Sequence, residues 1–264
     1  MHLHALDTYR AGVSPVHQLD SRVKLVTAVA FIVTVAITPD GAWPAYVLLM
    51  ALSTSMVVAS RLGVGFVWGR SVVALPFALA AISVAFATPG RALFVVAVWR
   101  WRVALTDAGL VRFVSIVLKA WLSVQVAIVL TATTTFPALL QAMRGLGIPK
   151  VLVGTFGFTY RYLFIIADEA LRLMRARSAR SGKIAGRSGG TILWRARVTG
   201  NMAGSLFLRS LSRSERVYDA MVARGYDGEV RLMDAPAVSA QDVVMGGVLI
   251  GVLALVQLLA RVVW

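Results

Sequence analysis

The sequence predicts an all-α integral membrane protein, with about five to six membrane helices plus long cytoplasmic amphipathic helices. Three observations predict it. Hydrophobic residues make up 58% of the 264-residue chain, above the roughly 45–50% of soluble domains. They fall in long runs almost free of charge, the pattern of a chain whose solvent is lipid. The net charge is +15, and most of it is gathered in one block of the second half. A basic balance alone would suit nucleic acid or anionic lipid, and the apolar runs decide for membrane. There is no cysteine, which excludes a disulfide framework, thiolate metal sites and thiol catalysis.

The elements follow in order. Residues 1–22 carry His2, His4, Asp7, Arg10, His17 and Asp20 and no apolar stretch, so they are expected as a cytoplasmic segment without a cleavable signal. Residues 23–133 are expected to hold four spans. The first apolar run is 23–37, with Lys24 able to snorkel to the interface. Pro39, Asp40, Gly41 and Pro44 turn the chain into a second run, 45–59. Residues 60–71 carry Arg61 and Arg70 around Gly63 and Gly65, and are expected as a loop. The third run, 72–88, ends at Pro89-Gly90. Residues 92–99 are apolar but too short to span as a helix, and Trp99, Arg100, Trp101 and Arg102 suit an interfacial anchor rather than a ligand box. The fourth run is 110–131, interrupted by Arg112 and Lys119. Residues 134–232 form a basic region, and 233–264 carry the final span, 243–259, followed by Arg261.

Charge sets the orientation. Residues 144–231 hold 16 Lys and Arg against six Asp and Glu, a net +10 of the chain's +15. Basic loops stay on the cytoplasmic side, so this block is expected inside. Four spans before it place the amino terminus inside too, and one span after it places the carboxyl terminus outside. Residues 91–102 then fall outside, against the rule.

Within the basic block, Leu163, Ala167, Ala170, Leu171, Met174 and Ser178 recur at helical spacing. Asp168 and Arg172 form an i,i+4 pair on another face. Residues 151–167 are apolar except for Arg161, which suggests partial contact with the bilayer. Gly182, Gly186, Gly189 and Gly190 break the pattern into a basic loop. A second helix follows, with Phe207, Leu211, Ser214, Tyr218, Met221 and Val222 as its stripe and Arg209, Arg213 and Arg216 on another face. Gly225 is placed to cap it in a left-handed conformation.

Motifs for catalysis are missing. Ser181-Gly182-Lys183 looks like the end of a phosphate-binding loop, but Arg177 stands where the first glycine is needed and no strand precedes it. Gly63/Gly65 and Gly145/Gly147 lack a third glycine, and no His-Glu-x-x-His occurs. The chain is therefore not expected to be an enzyme. The informative pair is Ala176-Arg177-Ser178 and Ala223-Arg224-Gly225, at the far ends of the two helices. Each sets one arginine between small residues, so a partner surface can approach the planar guanidinium fork.

Those motifs carry a resemblance. Residues 141–150 (Gln-Ala-Met-Arg-Gly-Leu-Gly-Ile-Pro-Lys), Phe158-Thr159-Tyr160-Arg161-Tyr162, Glu169 with Arg172, the two Ala-Arg motifs, residues 218–228, and Ser14-Pro15 with residues 19–24 resemble the transmembrane T component of energy-coupling factor transporters, in detail the cobalt-type CbiQ branch. The likeness covers nearly the whole chain. The first motif reads Ala-Arg-Ser rather than Ala-Arg-Gly. The resemblance implies that Ala176, Arg177, Ser178, Ala223, Arg224 and Gly225 dock two ABC ATPase subunits, which are CbiO-like and carry ATP and Mg. It also implies a substrate-binding membrane subunit, CbiM-like with a CbiN-like companion, that carries cobalt or nickel. This chain would hold no cofactor or metal, bind no nucleic acid, and lie in a prokaryotic inner membrane.

Other candidates are weaker. Met1-His2-Leu3-His4 could bind a metal through the terminal amine and an imidazole, but suits a solvated terminus better. Lys119 is an ionisable residue inside a span, a functional candidate that suits a helix-to-helix pair or snorkelling. Gly247 and Gly251 form a Gly-x-x-x-Gly packing face. Two further functions stand beside the metal importer: a T component serving a vitamin, and a membrane-anchored basic module for anionic lipid or nucleic acid.

Overall fold

A computed structural model describes residues 9–98, 101–180, 191–228 and 238–263. Residues 182–190, Trp99 and the amino-terminal Met1-His2-Leu3-His4 lie outside the described residues. The chain divides into two compact units, residues 146–235 and residues 2–145 with 236–264.

The larger unit starts with a short helix α1 (Pro15–Gln18), capped by Ser14. α2 (Ser21–Ile37) begins where Asp20 accepts from the Arg22 N–H at 2.7 Å, meeting one of the donors every helix start leaves open. Gly41 (φ 86°) turns the chain into α3 (Trp43–Ala59). The segment 60–71 is not a loop throughout: Gly63 (φ 86°) starts α4 (Val64–Arg70), which continues through a 3-10 turn (Ser71–Ala74) into α5 (Leu75–Ala87). Pro76 explains the tight turn, because its ring has no N–H and crowds the carbonyl one turn back. The third membrane helix is thus Val64–Ala87, eight residues longer at its start than its apolar run. Arg70 is not a loop cation either; it and Arg10 stack on the Phe66 ring, at 4.8 and 3.7 Å from its centroid.

Residues 92–98 and 101–106 form two short paired strands within the otherwise helical membrane fold. β1 (Ala92–Val98) pairs antiparallel with β2 (Trp101–Thr106), from Val98 opposite Trp101 to Ala92 opposite Thr106. Seven residues are too few for a membrane helix but suit a strand, and the Val-rich run favours one. Thr106 then caps α6 (Asp107–Thr133) and donates to the Thr88 carbonyl at 2.8 Å. Gly109 in the first turn passes so close to the Ala85 carbonyl that a Cβ would collide. α7 (Phe136–Gly145), expected with the basic region, packs with α2, where Gly145 meets the Arg22 guanidinium. α10 (Ala240–Val263) closes the unit.

Phe31, Leu49, Leu122 and Leu253 are each buried to within 2% of full and bring α2, α3, α6 and α10 to one core. The outer faces are apolar too. Val33, Val47, Val72, Phe77, Leu79, Val248 and Leu258 are exposed, which water would not tolerate on this scale but lipid does. Among the described residues, four helices are long and apolar enough to cross a bilayer: Val64–Ala87, Asp107–Thr133, Lys150–Arg180 and Ala240–Val262. With α2 and α3, at 17 residues each near the lower limit for a span, the count agrees with five to six membrane helices.

Several polar groups inside this unit find partners along α6, although the buried Gln125 Nε2, Thr134 Oγ1 and Gln257 Nε2 have none among the described residues. Lys119 donates to Asp40 in the α2–α3 turn at 2.8 Å, and Arg112 approaches the other carboxylate oxygen at 3.6 Å. The Gly41 N–H donates to Ser115 at 3.1 Å, and Ser53 donates to the fully buried Gln125 at 3.1 Å. At the far end, the Lys24 ammonium donates to the carbonyls of His17 (2.9 Å) and Thr133 (3.4 Å). Lys24 is 8% exposed; it does not snorkel freely but caps the negative end of α6. The close approach of α10 falls at Gly246, where a Cβ would lie 2.6 Å from Val23. Gly247 and Gly251 meet nothing within 4 Å, so they are not the packing face within this chain.

Replacing Asp40 with alanine leaves two cations without their acid. The Asp40→Ala variant should lose about 1 kcal/mol, below the range for fully buried charged hydrogen bonds because Asp40 and Arg112 are partly exposed, seen as a lower melting temperature in detergent. Adding Lys119→Met should restore part of the loss, because the stranded ammonium is removed.

Candidate docking site

The smaller unit contains two 31-residue helices, α8 (Lys150–Arg180) and α9 (Ile192–Val222). Each is about 46 Å long at 1.5 Å per residue. Thr191 caps the start of α9 by accepting from the Trp194 N–H. Three contacts set the direction of the pair. The Arg177 guanidinium donates to Thr199 at 3.0 Å, Arg209 pairs with Glu169 at 3.0 Å, and the Phe158 and Tyr226 rings meet edge to face at 6.3 Å. Residue numbers rise along one helix as they fall along the other, so the helices are antiparallel. The two Ala-Arg motifs therefore stand at opposite ends of the pair, on the order of 30–40 Å apart.

The two ends are built differently. Ala176, Arg177 and Ser178 lie in the last turn of α8, where Ala176 and Ser178 are exposed and Arg177 is half-buried against Thr199. Ala223, Arg224 and Gly225 form the stop of α9. Gly225 has φ 79°, its N–H donates to the Val222 carbonyl at 2.9 Å, and the Tyr226 N–H donates to the Met221 carbonyl at 3.0 Å. These two bonds are a Schellman end, with Arg224 just past the helix and immediately before the glycine in the left-handed position. Tyr226 then folds back onto Phe158 of α8. Arg224 is exposed, and among the described residues its guanidinium has no hydrogen-bond or ion-pair partner.

The apolar stripes of the two helices face one shared cavity of about 1010 Å³. Leu163, Ala167 and Ala170 line it from α8, and Phe207, Leu211, Tyr218 and Met221 line it from α9. The stripes do not close on each other: Leu163 stays 46% exposed and Phe207 65%. Beside it, Arg161, Arg213, Arg216 and Arg224 line a cavity of about 430 Å³. Sequence spacing had grouped Arg213 and Arg216 with Arg209. It could not show that Arg209 turns to Glu169 while Arg161 joins the others, because that depends on the register of α8 against α9. Lys119 belongs to the other unit and to its pair with Asp40. No group of three or more metal-ligating side chains occurs among the described residues. His17 is engaged by Ser14 and the Arg10 carbonyl, at 2.7 and 3.0 Å.

A family model described as CbiQ, cobalt transport protein, matches residues 12–233. The chain belongs to the CbiQ family. Its relatives include the cobalt transport protein CbiQ of Rhodobacter capsulatus, 29% identical over 61% of this chain and 64% of that protein. An uncharacterized protein of Methanocaldococcus jannaschii is 27% identical over 60% of this chain and 52% of its own length. The match thus spans between half and two-thirds of these two relatives. The energy-coupling factor transporter transmembrane protein EcfT of Limosilactobacillus fermentum is 26% identical over 81% of this chain and 80% of its own length. This CbiQ-family chain is accordingly a helical membrane protein of a transport family.

The Schellman end is testable without any partner. Gly225→Val forces a β-branched residue into the left-handed region, at a cost of about 1–2 kcal/mol. The amides of Tyr226 and Gly225 should exchange faster with deuterium. Gly247→Ala, in open space within α10, should not lower stability and should raise it slightly, since alanine is the better helix former.

Proposed function

We propose that this chain is the T component of an energy-coupling factor importer for a divalent transition metal, cobalt or nickel. The observation that carries the reading is the antiparallel α8–α9 pair, which holds one Ala-Arg motif at each end. Two separated ends suit two copies of a partner. An arginine between small residues suits a groove with an acidic floor. In this reading the partners are ABC ATPase subunits that bind ATP and Mg on the cytoplasmic side. Ala176, Arg177 and Ser178 dock one copy; Ala223, Arg224 and Gly225 dock the other. When the ATPases close, the crossing of α8 and α9 changes, and the membrane unit reorients a substrate-binding subunit that carries the metal. The apolar stripes, left open by the pair itself, supply contact area for membrane partners. ATP hydrolysis belongs to the partners, and the chain resides in a prokaryotic plasma membrane.

The relatives support the parts unequally. Those named for cobalt transport match a shorter share of this chain than the EcfT proteins do. That difference favours a second reading, a T component that serves another substrate such as a vitamin. The subunits that co-purify, identified by mass spectrometry, separate the two: a metal-binding membrane subunit supports the first and a vitamin-binding one the second.

Arg224→Glu should abolish ATPase co-purification and metal uptake while membrane insertion stays intact. Arg177→Glu should do the same at the other end. Normal uptake by the Arg224→Glu variant contradicts the coupling role.

A further inference from the structure

Four arginines line the smaller cavity between α8 and α9. Arg161 comes from α8, Arg213 and Arg216 from α9, and Arg224 from its stop. Positions 213, 217, 220 and 224 repeat at helical spacing, so Val217 and Ala220 floor the space between two of the arginines. None of the four guanidinium groups has a hydrogen-bond or ion-pair partner among the described residues. Glu169, which shares a neighbouring cavity with Arg213 and Arg216, is already paired with Arg209 at 3.0 Å. Like charges gathered this way repel, and an anion between them relieves the repulsion. Guanidinium forks match the oxygens of a phosphate.

Two further observations narrow the anion. The arginine cavity adjoins the larger apolar one, since Phe158, Tyr162, Arg213, Val217 and Met221 line both. A cationic pocket beside an apolar groove fits a ligand with a phosphate and a hydrocarbon chain. The site is confined to this end of the pair, because the other motif arginine, Arg177, donates to Thr199 and lines neither cavity. We infer that this cavity binds the phosphate of one anionic phospholipid, with an acyl chain along the adjoining groove. Membership of a membrane family places such lipids around the chain, and the inference does not depend on the metal or the ATPase assignment.

The test is native mass spectrometry of the full-length chain in mild detergent, with phosphatidylglycerol or phosphatidylcholine added. One phosphatidylglycerol should be retained per chain. Phosphatidylcholine, whose quaternary ammonium meets the arginines, should be retained at least tenfold less. Arg213→Gln with Arg216→Gln should lower phosphatidylglycerol retention at least tenfold. Arg161→Gln alone should lower it several-fold and decides the matter if the double variant does not fold, as judged by circular dichroism. Arg175→Gln with Arg180→Gln removes the same charge outside the cavity and should change nothing. Undiminished retention in the cavity variants overturns the inference, as does an equal loss in the Arg175/Arg180 control. Thermal stabilisation by inorganic phosphate equal to that by phosphatidylglycerol overturns it in favour of a free anion. Loss of ATPase co-purification with lipid retention unchanged overturns it in favour of an acidic protein surface.

Discussion

The antiparallel pairing of α8 and α9 is the constraint on which every candidate docking residue depends. Glu169 and Arg209 clasp the pair at 3.0 Å, with Arg177–Thr199 and Phe158–Tyr226 on either side. An exposed ion pair contributes little stability by itself. Its value here is register. A slip of one turn, about 5.4 Å, would part all three contacts together and scatter the arginines that share a cavity. The pair fixes position while leaving its apolar stripes open, which suits a part that must hold partners rather than bury its own surface.

The membrane unit follows a different rule. In lipid an unsatisfied polar group is expensive, and α6 gathers several of the pairings, though its buried Gln125 Nε2 stays without a partner among the described residues. Asp40 meets Lys119 and Arg112, Gln125 meets Ser53, and Lys24 closes the carbonyl end. These contacts lie at successive depths along one helix. The third membrane helix also extends past its apolar run, back to Gly63. Its first turns carry Arg70 against Phe66, a contact in which an arginine keeps its charge and still covers an apolar ring.

Much of this was legible in the sequence, for physical reasons. Apolar runs and helical spacing report local burial directly, so the membrane helices, both long basic helices and the left-handed Gly225 could be read from residues. What depended on register could not. Arg161 and Arg224 are 63 positions apart in sequence, and only the antiparallel turn joins them. Lys119 was a candidate without a partner until the short α2–α3 turn brought Asp40 beside it. Gly247 and Gly251 matched a packing pattern, yet the rotation of α10 gives that contact to Gly246. The pairing of strands 92–98 and 101–106 was hidden because a short apolar run looks alike in a strand and in a helix fragment.

The central claim is that the two motif ends engage two ATPase copies. The chain has no cysteine, so Ala176→Cys and Ala223→Cys can each be introduced alone and together without background. Cross-linking in membranes that contain the partner ATPases measures the claim directly. The account predicts one ATPase cross-linked to each single variant and two to the double variant, with the yield changing when ATP is added. A cross-link at only one end, or a single ATPase captured by the double variant, would contradict it.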